Sequence, residues 1–210
     1  MNSQRQRDKA EAQRREQLLQ RSLVGRKVRL RCVEANDLPL RVQWVNSPVI
    51  QRTLNFQYPL SLAKMQKWLD TVITDNTRRD FSIVTTDANA VYIGFGGFLN
   101  IDHGPRKAEL YVAIGNSSYW GKGGYGIDAY RVLMRYGFLE LGLNRIYGYQ
   151  LTFNSSARRV VEMLGWQTEG TLRQDIFAHG ELRDRAVVSI LREEWVDPDV
   201  LPSADAMPPD

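Results

Sequence analysis

Cysteine and histidine are scarce: the 210 residues include one cysteine, Cys32, and two histidines. One cysteine excludes an intramolecular disulfide, and two histidines leave little for a metal site, so no metal is expected. No run of about 18 apolar residues occurs, which excludes a membrane-spanning helix. The charged N-terminus lacks the apolar segment of a secretory signal, and a reducing cytoplasm is the expected compartment. Charge of one sign is not concentrated either. The net charge is +4 and the pI is about 9.3. Residues 1–25 hold six Lys/Arg against three Asp/Glu, whereas 196–210 hold four Asp and no base. No basic run interleaved with aromatics lies between them. A mildly basic solvated surface is expected, with no nucleic-acid partner.

What is present is a core-forming composition, 43% hydrophobic and 10% aromatic. Residues 1–25 read as a polar helical extension rich in Arg, Gln, Glu and Ala. Residues 196–210 read as a Pro/Asp-rich tail. Between them, residues 26–195 read as one domain. Lys27–Val33 alternates as a first strand. Residues 36–46 and 61–74 have helical spacing, the second capped by Ser61, with Leu62, Met65, Trp68, Leu69 and Val72 on one face. Residues 81–86 and 91–99 form a hairpin, and 107–114 a further strand. A helix follows from Ile127 to about Leu141, then a strand over 145–151. A short helix over 156–164 is ended by Gly165, and strands over 166–177 and 183–191 flank a turn at His179-Gly180. This order defines an α+β domain with a largely antiparallel sheet. Cys32, on the first strand, is expected to be a core thiol.

The chemistry is concentrated in Tyr119-Trp-Gly-Lys-Gly-Gly-Tyr-Gly126, between the strand 107–114 and the helix that follows. Four of its residues, Gly121, Gly123, Gly124 and Gly126, are glycines at a helix mouth. Glycine lets backbone amides approach an anion, and the helix N-terminus adds unpaired donors and partial positive charge. That is a phosphate cradle, with Lys122 able to add charge at the rim. It is not a P-loop, because no Gly-Lys-Ser/Thr follows at the required spacing. It is not a dinucleotide fingerprint, because no ribose-binding acid lies at the expected distance.

The stretch resembles motif A of the GNAT acetyltransferase superfamily, in particular its RimJ/RimL-like branch. The resemblance extends over most of residues 26–195. It includes Trp44-Val-Asn-Ser-Pro48, Ala108-Glu-Leu110 and Leu141-Gly-Leu-Asn-Arg145. Asn154, Ala157 and Glu162-Met-Leu-Gly-Trp166 follow. Glu169-Gly-Thr-Leu-Arg173, Asp184 and Leu191-Arg-Glu-Glu-Trp195 complete the order. Two departures stand out. Gly121 occupies the first motif position, where the superfamily has Arg or Gln, and one glycine is extra. Val161 stands where many members carry a tyrosine acid.

The resemblance implies a GNAT fold: a mixed, mostly antiparallel sheet of six to seven strands, flanking helices and a splayed central strand pair. It implies acetyl-CoA as cofactor and direct attack by a primary amine in a ternary complex. Cys32 is then not needed as a nucleophile. The cofactor would be held by Val112, Ala113 and Ile114, by Gly121, Lys122, Gly123, Gly124, Tyr125 and Gly126, and by Asn154, Arg158 and Arg159. Glu109 is the expected base. It shares a strand face with Tyr111 and Ala113, where partial desolvation would raise its pKa. The alternative for Glu109 is a structural contact to Arg106 or Arg145. Ser156, beside Ser155, is the candidate acid, with helix capping as its alternative. The acceptor would meet Trp44, Asn55, Phe56 and Tyr58 on one side and Phe177, His179 and Asp184 on the other. It is expected to be a protein N-terminus or a small amine such as an aminoglycoside, polyamine or amino sugar. The protein would be a monomer or homodimer. A non-catalytic acyl-CoA-binding module and a nucleic-acid-associated protein are the competing classes.

Overall fold

Seven strands form one sheet in the order β1-β2-β3-β4-β5-β7-β6. They are β1 (Val28–Cys32), β2 (Arg79–Thr85), β3 (Tyr92–Asp102), β4 (Lys107–Ile114), β5 (Arg145–Leu151), β6 (Gln167–Ala178) and β7 (Glu181–Leu191). The helices are α1 (Leu38–Val45), α2 (Pro48–Gln51), α3 (Leu62–Val72), α4 (Tyr125–Leu139) and α5 (Ser155–Met163). This computed structural model describes residues 22–51, 59–121, 123–178 and 180–197. The strands and the longer helices follow the expected order along the chain, and the α+β architecture with its mixed sheet is confirmed. Apart from residues 22–25, the expected N-terminal helical extension lies outside the described residues, as does the tail beyond Asp197.

Every neighbouring pair is antiparallel except β4 with β5. That parallel pair is short: Lys107, Ala108 and Glu109 face Arg145, Ile146 and Tyr147, and pairing then stops. Beyond Glu109, β4 pairs only with β3 and β5 only with β7. Two strands that part in mid-sheet leave rows of backbone N–H and C=O groups without ladder partners. This opening positions the site.

The main core packs α4 onto one sheet face. Ala129, Val132, Leu133, Met134 and Phe138 of α4 meet Val28, Leu30, Ile83, Phe98, Leu110 and Ile146. Their spacing is that of one helix face. At the N-terminal end of α4, buried Asp128 accepts hydrogen bonds from the amides of Lys27 (2.7 Å) and Val28 (2.9 Å). Those contacts hold the start of β1 beside the glycine turn. A second, smaller core on the opposite face joins Trp44, Val45, Ile50, Phe95 and Ala113. Gly115 is required there, because a Cβ would fall 2.1 Å from the Trp44 ring.

Cys32 corrects the expected core thiol: it is exposed and free. Alternation buries Val28 and Leu30 but reaches Cys32 after the core has ended. Cys32 is also not among the residues lining the cleft described below. Cys32→Ala is therefore expected to keep full turnover of the transfer reaction that the resemblance implies. Complete loss of activity in a folded variant, read by thiol release, would argue for an acyl-enzyme on this sulfur.

Candidate active site

A cleft of about 280 Å³ occupies the gap between the parting strands. Its walls include Glu109, Leu110, Tyr111 and Val112 of β4 and Tyr149, Gln150 and Leu151 of β5. Tyr130 of α4, together with Asn154 and Ala157 at the start of α5, adds to them.

Glu109 stands at the fork, on the last residue pair before the strands separate. Burial pushes its carboxyl up from the ordinary value; a hydrogen bond from Asn100 and the charge of Arg185 oppose the shift. Asn100 Nδ2 donates to Glu109 Oε2 at 3.0 Å. Asn100 reaches it because β3 bulges between Leu99 and Asp102, with Asn100 at φ +51°. Asn tolerates the left-handed region better than most residues. The suggested arginine partners lie elsewhere: Arg145 forks onto Glu169, holding that carboxyl at about 2. Arg106 is exposed and forms no ion pair with Glu109 among the described residues. Glu109 is thus oriented by a neutral amide and makes no ion pair among the described residues, an arrangement suited to a base.

The glycine turn has the expected cradle geometry. Gly121, Gly123 and Gly124 adopt φ of +63°, +68° and +78°. An L-residue pays roughly 1–2 kcal/mol in that region. Trp120 Nε1 anchors the turn by donating to the Ile114 carbonyl at 2.7 Å. The first backbone bond into α4 runs from the Asp128 amide to the Gly124 carbonyl at 2.9 Å. The amides of Tyr125, Gly126 and Ile127 therefore have no backbone acceptor among the described residues, as an anion cradle requires. Lys122 lies outside the described residues. A different lysine supplies charge: Lys27 Nζ is 2.8 Å from where a Cβ on Gly123 would sit, and 5.4 Å from the Tyr125 ring centroid. Lys27 lies about a hundred positions upstream, so local motif reading missed it. Its only sequence signal is its place at the start of β1.

The other expected site residues divide. Val112 lines the cleft, whereas Ala113 belongs to the second core and Ile114 to the rim of the main one. Asn154 lines the cleft, and its side chain caps α5 by accepting from the Ala157 amide at 3.1 Å. The capping role suggested for the serines thus falls to Asn154. Ser155 and Ser156 are exposed and do not line the cleft. Arg158 and Arg159 are exposed, Arg158 facing Glu162 at 3.6 Å. Trp44 is buried and lines a neighbouring hollow of about 230 Å³ rather than the cleft with Glu109. Phe177 and Asp184 miss the cleft by one residue each, for Ile176 and Arg185 line it instead. One position along a strand moves a side chain to the other face. Asp184 instead accepts the Gln174 amide at 2.8 Å. Asn55, Phe56, Tyr58 and His179 lie outside the described residues.

Tyr130 is the second functional candidate the sequence reading missed. Its ring meets Trp166 edge-on at 6.1 Å, and burial raises its hydroxyl to about 12. No hydrogen bond engages that hydroxyl among the described residues, and Tyr130 lines the cleft. The usual tyrosine position, Val161, is buried in the main core and offers no proton.

A split mixed sheet, an amide cradle at a helix mouth and a desolvated carboxylate at the fork define an acyl-CoA-dependent transferase. Comparison with known proteins agrees. The profile of the acetyltransferase (GNAT) domain matches residues 27–167, and the chain belongs to this family of acetyl-CoA-dependent N-acetyltransferases. It is 29% identical to the uncharacterized N-acetyltransferase p20 of Bacillus licheniformis over 177 residues, 83% of this chain and 98% of the relative. It is 32% identical to the Bacillus subtilis protein named "Putative ribosomal N-acetyltransferase YdaF" over 60% of this chain and 70% of the relative. Among solved structures, spermidine N-acetyltransferase of Vibrio cholerae in complex with CoA and spermine superposes with TM-score 0.75 at 26% identity. The match covers 80% of this chain and 96% of that one. No helix among the described residues is long and apolar enough to cross a membrane.

Proposed function

We propose that this acetyltransferase acts in the RimJ/RimL-like manner, acetylating the α-amine of a protein or peptide N-terminus in the cytoplasm. The observation that carries the catalytic part is Glu109 at the strand fork, desolvated and oriented by Asn100 rather than neutralised by an arginine. Bound acetyl-CoA supplies the activated acetyl thioester. The amides of Tyr125, Gly126 and Ile127, which have no backbone acceptor among the described residues, would hold its pyrophosphate with Lys27 beside them. The unpaired edge of β4 at Val112 would run beside the pantetheine arm. Glu109 takes the proton from the incoming ammonium so that the nitrogen can attack. Tyr130, which lines the same cleft, would present its hydroxyl to the leaving sulfur. A thiol titrates near about 8.5, well below the value of about 12 for Tyr130. The hydroxyl therefore keeps its proton and would stabilise the thiolate through a hydrogen bond. It takes the role expected of Ser156, which the exposed first turn of α5 places at a disadvantage.

The charged residues lining the cleft include one carboxylate, Glu109, beside Arg41, Arg78 and Arg185. That balance disfavours a polycation and favours a single amine. Small-molecule amine acetylation is the second reading, supported by the likeness to the Vibrio cholerae spermidine enzyme. A thiol-release screen separates them. N-terminal peptides are expected to release CoA fastest, and Tyr130→Phe to lower that kcat about tenfold or more. Spermidine as the best acceptor would overturn the peptide reading, and an unchanged Tyr130→Phe rate would remove the hydroxyl from the mechanism.

A further inference from the structure

One wall of the cleft holds a cation whose hydrogen-bonding capacity is incompletely used. Arg41 of α1 is 6% exposed. Its guanidinium lies between two rings, 4.4 Å from the Trp68 centroid and 4.2 Å from that of Phe95. Its nearest carboxylate oxygen is Asp80 Oδ1, 3.9 Å from Nη2. That carboxylate is already engaged. Arg78 grips it with Nε at 2.7 Å and Nη2 at 2.9 Å, and the Tyr111 hydroxyl donates to the same Oδ1. Arg41 Nη1 is buried and has no hydrogen-bond partner among the described residues. Two guanidinium groups thus share one carboxylate, which leaves one positive charge at this end of the cleft among the described residues.

Arginine does not lose its proton to relieve such a position. An unpaired buried donor costs about 1–3 kcal/mol, more when charged. A fold keeps an unmatched cation in a ligand cleft at that cost when the ligand completes it. Stacking on two aromatic faces holds the planar group in one orientation, suited to a planar anion.

We propose that Arg41 is an acceptor subsite for a carboxylate, so that the preferred acceptor carries a carboxylate near the amine it presents to Glu109. The inference rests on the acetyl-transfer reading above and narrows its acceptor. Tyr111, which donates to the Arg41–Asp80–Arg78 group, lies two residues from Glu109 on β4, about 7 Å along the strand. Glu109, Tyr111 and Arg41 line the same cleft, so base and anion subsite open onto one acceptor space. The carboxylate can be the side chain of an acidic N-terminal residue or the α-carboxylate of a free amino acid.

Two isosteric pairs distinguish the sources. Aspartyl-alanine amide against asparaginyl-alanine amide tests the side chain, and alanine against alanine amide tests the α-carboxylate. A site built around an ionic partner rejects the analogue lacking it. The carboxylate member of at least one pair is expected to show kcat/KM about tenfold or more above its partner. The responding pair names the source. It should also give the larger thermal stabilisation of the CoA-loaded protein. Arg41→Gln should bring the ratio within that pair close to one, and Arg41→Lys should restore part of it. Equal rates within both pairs, or an unchanged ratio in folded Arg41→Gln, would overturn the subsite while leaving acetyl transfer intact. No thiol release with any amine would instead overturn both the subsite and the transfer reading beneath it.

Discussion

Glu109→Gln is expected to lower kcat about 10²–10³-fold while leaving acetyl-CoA binding intact, in the range general-base catalysis contributes. Glutamine keeps the shape and can still pair with Asn100, so the loss isolates proton transfer. The pH dependence gives a second readout with a definite sign. Burial is the largest influence on Glu109 and moves its pKa upward. A base works only when deprotonated, so turnover should fall as pH drops through that raised value. The acid limb should therefore lie above the ordinary glutamate value of about 4.3. Glu109→Gln should remove the part of the limb owed to this carboxyl. Turnover equal to wild type at every pH would leave Glu109 a structural residue held by Asn100.

A carboxylate placed on the cradle should have the second large effect. Gly121 has φ +63° and open space where a Cβ would go. Asp and Asn both tolerate that backbone region better than other side chains. At about 6 Å and an effective dielectric of about 40, one added charge repels each phosphate charge by about 1.4 kcal/mol, or about tenfold. Gly121→Asp is thus expected to weaken acetyl-CoA binding about tenfold to a hundredfold, and Gly121→Asn much less. The gap should shrink at high salt, because the rim is solvent-exposed. Equal affinities for the two variants would place the pyrophosphate away from this turn.

The features legible before the fold were those carried by local pattern. Alternation along 107–114 placed Glu109 beside Tyr111 and Ala113. Glycine spacing marked the helix mouth, and the boundaries of β4 and β5 agree with the sequence reading residue for residue. Features made by contacts distant in sequence were not legible. Lys27 reaches the cradle because buried Asp128 holds the start of β1 against α4. Asn100 reaches Glu109 through a bulge whose only local mark is an asparagine able to adopt φ +51°. Arg41 looks like a surface arginine in a short helix until Trp68 and Phe95 close over it. Strand register decided the small misses. Shifted by one residue, Phe177 and Asp184 give way to Ile176 and Arg185 at the cleft. Cys32 followed the right alternation at a point where the core had ended.

The glycine cradle and the strand fork together make one claim, that this cleft binds acetyl-CoA in the native fold. Thermal unfolding with and without the cofactor tests it most directly. A ligand bound only by the native state at a hundredfold above its Kd adds about 2.7 kcal/mol of stability, or about 5–10 °C in Tm for a chain this size. Wild type should show that rise with acetyl-CoA, and Gly121→Asp should lose about half of it or more at the same concentration. No shift in wild type at millimolar acetyl-CoA would contradict the account.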